Sequence, residues 1–84
     1  MSQHTPNELT AIFKRDADLL TRLKTQDAHY ARLADEYHAV NRAVHRHESE
    51  VEPLSDEHAE ALKKQRLGLL DEITMIVTKA REAA

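Results

Sequence analysis

The sequence predicts an all-α protein: two long helices in an antiparallel, coiled-coil-like helical hairpin that assembles into a dimeric four-helix arrangement. Three observations predict it. Apolar residues recur with 3-4 spacing from Leu9 to Val51. The pattern stops at "EVEPLSDE", where Pro53 cannot continue a helix interior. A second apolar arc then runs from Ala59 to Ala80.

The first helix starts at "TPNE". Thr5 can cap, Pro6 suits the first helical position, and Glu8 completes a capping box, so residues 1–5 read as a flexible start. From there helix 1 is expected over about 6–51. One seam position holds Leu9, Asp16, Leu23, Tyr30, Tyr37, Val44 and Val51; the other holds Ile12, Leu19, Gln26, Leu33, Val40 and His47. All but Asp16, Gln26 and His47 are apolar or tyrosine, which decides for a heptad helix over a strand. The polar entries Asp16 and Gln26 bracket the weakest stretch. "TQD" at Thr25–Asp27 could cap a new helix start, which leaves a kink near 25–27 open. The register carries across it, and that favours continuity.

A turn over about 52–55 follows. Ser55 is a good N-cap, with Asp56 and Glu57 well placed in the first turn of a second helix expected over about 56–81. Lys79 and Arg81 near its end complement the helix dipole. This arm is about 39 Å long at 1.5 Å per residue, and the first arm is longer. If both are straight, the part before about Leu23 overhangs, carrying Leu9, Ile12, Phe13, Leu19 and Leu20. Leaving these in water costs roughly 1.5–3 kcal/mol per large side chain. Either the overhang folds back or another subunit covers it, and the core of a dimer is the expected cover. The five residues, with Arg66, Leu70 and Val77, are the candidate interaction residues.

On helix 2, Ala59, Leu62, Leu69, Leu70, Ile73, Ile76, Val77 and Ala80 share an arc of about 120°. That is wider than a two-stranded seam and fits a helix with more than one neighbour. Arg66 falls near the middle of the arc, across from about Val40, within reach of Glu36, Tyr37 and Asn41. It either snorkels, stem packed and head in water, or sets the register by pairing within the hairpin or across a dimer. Gly68, the only glycine, points to the opposite, solvent side.

Composition excludes several function classes. With no cysteine there is neither a disulfide nor a Cys-based zinc site. The small size makes oligomerisation the leading route to stability. No apolar run approaches the roughly 20 residues that span a bilayer, and "MSQHTPNEL" has no signal-peptide pattern, so a cytoplasmic protein without a membrane partner is expected. A single glycine rules out a phosphate-cradling loop, and no nucleophile constellation can be assembled. The expectation is therefore no enzyme, no cofactor and no small-molecule substrate. The net charge of −3 weighs against nucleic acid. A nucleic-acid alternative would rest on Arg42, Arg46, Lys63 and Lys64.

Six histidines are many for this length. His45, His47 and His58 fall near one hairpin end with Glu48, Glu50, Glu52, Asp56, Glu57 and Glu60. They are weak candidates for a divalent metal, since their spacing matches no known ligand motif. Protonating all six histidines would let Lys, Arg and His outnumber the fifteen carboxylates, so a pH-dependent association is a further alternative.

"LKTQDAHYARLADEYHAVNRAVHRHES" followed by "PLSDEHAEALKKQRLGLLDEI" resembles the YdcH family of small bacterial proteins. The carrying residues are Leu23–Lys24, Tyr30 and Leu33, Glu36–Tyr37, Ser55–Asp56, and Leu62 through Arg66–Leu67 to Asp71–Glu72–Ile73. The likeness covers about 19–77. It departs at Leu70, where the family usually has lysine, and at Tyr30, where phenylalanine is common. The resemblance implies a helical hairpin of unknown function in a bacterial cytoplasm, with no catalytic residues to carry over. The expected function is thus a non-catalytic helical protein acting through self-association and contact with an unidentified protein partner.

Overall fold

The computed structural model describes residues 8–49 and 55–83. Thr5 and Pro6 of the expected cap, and Pro53 and Leu54 of the expected turn, lie outside them. The elements are α1 (Leu9–Ile12), a 3-10 turn (Lys14–Asp16), α2 (Ala17–Gln26), α3 (Ala28–Glu48) and α4 (Asp56–Ala83). No strand occurs among the described residues, and the protein is all-α.

α4 begins as its sequence dictates. The Ser55 hydroxyl accepts from the His58 N–H at 3.1 Å, and Asp56 and Glu57 occupy the first turn. It buries Ala59, Leu69, Ile73 and Val77, the last two with no exposure at all. α3 buries a matching stripe of Tyr30, Leu33, Ala34, Tyr37, Val40, Asn41 and Val44. The two helices pack along these stripes and run antiparallel. Arg66 meets Asn41 in mid-length, while Leu23 and Gln26, just before α3, share a hollow with Ala80 and Ala83 at the end of α4.

The structure corrects the expectation of one continuous first helix: α1, the 3-10 turn, α2 and α3 stand in its place, with the second break at Asp27, where the sequence leaves a kink near 25–27 open. The expected overhang explains why. A straight helix would carry Leu9, Phe13 and Leu20 past the end of α4. Instead all three are buried in the same core as Tyr37 and Ile73. At roughly 1.5–3 kcal/mol each, their burial outweighs what two helix breaks cost. The molecule's longest dimension is 43 Å, about that of α4 alone at 1.5 Å per residue, so no overhang remains.

The breaks fall at Phe13 (φ −110°, ψ 55°) and Asp27 (φ −124°, ψ 101°). Asp27 is a helix cap: its carboxylate accepts from the Tyr30 N–H at 3.0 Å. Residues 8–26 thus form a strap. α2 crosses the open end of the α3–α4 pair, and α1 returns beside its middle, where Ile12 and Arg66 line one cavity.

Candidate functional site

The middle of the α3–α4 pair holds the most distinctive chemistry. Arg66 is half-buried, and its guanidinium donates to Asn41 Oδ1 at 2.9 Å. Among the described residues Asn41 is the buried polar residue of the core, 1% exposed. A buried amide needs a partner, and a seam arginine needs an acceptor; each answers the other's requirement. Beside them sits Tyr37, almost wholly enclosed. Burial raises its phenol above the usual pKa, with the Arg66 charge pulling the other way. Of the two readings of Arg66, the structure therefore shows a cross-helix contact within the chain.

Above this contact is a hollow of about 220 Å³ lined by Ile12, Tyr37, Lys63, Arg66, Leu67 and Leu70. Three of its lining residues, Ile12, Leu67 and Leu70, are aliphatic and open to solvent in part. Ile12 is 41% and Leu67 60% exposed, and Leu70 is half-buried. A larger hollow of about 570 Å³ follows one face of α4 from Glu72 to Lys79 and includes His29 and the exposed Met75. It is an open surface groove, with Thr74, Ile76 and Thr78 completing its lining.

The candidate interaction residues divide accordingly. Leu9, Phe13, Leu20 and Val77 are buried within the chain, whereas Ile12, Leu19, Arg66 and Leu70 keep part of their surface. The metal candidates sit near one end, His45 and His47 half-buried on α3 and His58 exposed on α4; Glu50 and Glu52 lie outside the described residues. Among the described residues no three His, Cys, Asp or Glu side chains are placed to hold a metal ion. Lys63 lines the Arg66 hollow, and Arg42 lies within electrostatic reach of His38, as do Lys24, Glu8 and Asp35. No helix among the described residues is long and apolar enough to cross a membrane.

Two features escaped the sequence reading. Asp16 forms a two-pronged ion pair with Arg81, Nε to Oδ1 at 3.1 Å, tying the 3-10 turn to the last turn of α4. Arg81 holds the Asp16 carboxyl below its usual pKa. The signal was present: Asp16 occupies an apolar seam position, which asks for a cation. His38, half-buried, has its pKa lowered chiefly by burial, and nothing in its local sequence marks it.

A family model described as "Protein of unknown function (DUF465)" matches residues 31–77, more than half the chain. The chain belongs to the DUF465 family. YdcH-like proteins are members of it, so the resemblance read from the sequence holds. The DUF465 match begins in α3 and ends in α4, and so takes in Tyr37, Asn41, Arg66 and Ile73 while leaving the strap outside. No curated protein and no solved structure matches the chain.

Proposed function

We propose that this DUF465 protein is a non-catalytic interaction module. Its α3–α4 pair works as a helical hairpin, and two copies associate into a dimeric, four-helix arrangement. The supporting observation is the apolar rim of Ile12, Leu67 and Leu70, which surrounds the Arg66 hollow and stays open to solvent in the single chain. Exposed apolar side chains gathered in one place mark interaction surfaces more often than singly scattered ones do. The chain's size points the same way, since an 84-residue helical chain gains stability from a second copy.

Light scattering and sedimentation on purified protein test the reading. The wild type is expected to dimerise at tens of micromolar, and Leu67→Glu to weaken that association without loss of helix content. A strictly monomeric wild type would overturn it.

A further inference from the structure

The strap is joined to the α3–α4 pair by a single non-helical residue. Asp27 N–H already donates to Leu23 O at 2.8 Å, and Ala31 N–H to Asp27 O at 3.0 Å, both helical i to i−4 bonds. Rotating Asp27 from ψ 101° to a helical value of about −42° would fuse α2 and α3 into one helix. The sequence is prepared for that state. Leu19, Leu23, Gln26, Tyr30 and Leu33 keep alternating 4-3 spacing through Asp27, so a straight helix would carry one continuous seam.

In the straight state α2 projects beyond its own hairpin. Leu9, Phe13 and Leu20 leave their sites, and those sites open on the α3–α4 pair. A second copy in the same state offers the same side chains and the same open sites. Exchange of an identical element satisfies every contact of the closed chain with no new interface to evolve.

We propose that the strap passes between two copies: Asp27 straightens, α2 and α3 become one helix, and Leu9, Phe13 and Leu20 of each chain take their places on the α3–α4 pair of the other. This rests on the self-association reading, in which the apolar rim brings two copies together, and adds the segment that they exchange. Asp16 of each chain then pairs with Arg81 of the other copy.

The Asp16–Arg81 pair supplies the test. Asp27→Ala removes the cap that favours the break and adds a strong helix former. Two caps are lost per dimer, so the dimer dissociation constant is expected to fall at least about tenfold. On this background two further variants are made, Asp16→Arg and Arg81→Asp. In a closed chain, or in a dimer of one variant, position 16 meets a like charge at position 81. In an exchanged dimer of the two variants mixed, both pairs become opposite. Native mass spectrometry of the 1:1 mixture is expected to show the mixed dimer in excess over either homodimer, with circular dichroism confirming that each variant is helical.

Dimers without preference for the mixed species would overturn strap exchange while leaving self-association standing. Wild type, Asp27→Ala and the mixture all remaining monomeric would overturn both.

Discussion

Replacing Arg66 by leucine tests the central claim, that a charge in an apolar seam is held by a partner across the helix pair. The substitution takes a charged donor from Asn41 Oδ1, at 2.9 Å, in a residue 1% exposed. Hydrogen bonds to charged groups contribute about 1.5–3 kcal/mol. Arg66 is only half-buried, so water already serves part of its guanidinium and the lower end applies, about 1.5 kcal/mol. In a domain of this size each kcal/mol moves the thermal midpoint by about 4–8 °C, so Arg66→Leu should lower Tm by about 6–12 °C. The comparison is made at one protein concentration, because association shifts Tm by mass action. Asn41→Leu completes a double-mutant cycle. Replacing both partners by apolar groups of similar size should restore most of the loss, giving a coupling energy of about 1 kcal/mol or more. A coupling below about 0.3 kcal/mol would refute the reasoning and return Arg66 to a snorkelling stem.

Gly68→Ala should stabilise the protein by about 1 kcal/mol, since an added Cβ meets nothing within 4 Å in mid-helix; a lower urea midpoint would show a backbone role for the glycine. Ile73→Ala, at a site with no exposure, should cost about 2–5 kcal/mol, and a loss under about 1 kcal/mol in urea melts would mean that the α3–α4 core is not built around it. His38 gives a pH dependence. Its folded pKa lies below the ordinary 6.5, so the unfolded chain takes up the proton first. Its contribution to stability is complete above that value and is lost as pH falls from there through the folded pKa. Burial is the main cause; Arg42 and Lys24 add to it, and Glu8 and Asp35 oppose it. His38→Gln should flatten the urea midpoint between about pH 7 and pH 5, and an unchanged slope would contradict the assignment.

What was legible in the sequence is what periodicity controls. The α3 stripe from Tyr30 to Val44 is the heptad pattern made solid. Ser55 caps α4 because a hydroxyl before two acidic residues has few better places to go. Asn41 stood among three named partners for Arg66, because the end of the heptad pattern and the Ser55 cap of the second helix bound which residues of the two arms can face each other. The path of residues 8–26 was not legible, because 3-4 spacing is the same in a straight helix and in one broken between heptads. Two signals bear on the choice: the capping residues at Thr25–Asp27, which left a kink open, and the arm lengths, which left folding back and coverage by another subunit both open. Among the candidate interaction residues, the pattern could not tell that Leu9, Phe13 and Leu20 close the chain's own core while Ile12, one turn from Leu9, stays outside.

That ambiguity has a physical content. The α3–α4 pair offers one apolar face to whatever arrives with Leu9, Phe13 and Leu20, and nothing in that face distinguishes its own strap from the strap of another copy. The closed form is favoured by the Asp27 cap and by the short path the hinge gives the strap; an exchanged form is favoured by an unbroken helix and by protein concentration. The Asp16–Arg81 pair forms equally in both and so favours neither. Of these terms, the Asp27 cap is the one that a single substitution removes. Substitutions at Asp27 should move the oligomeric state, whereas conservative changes at Asp16 and Arg81 that keep opposite charges should leave it where it is.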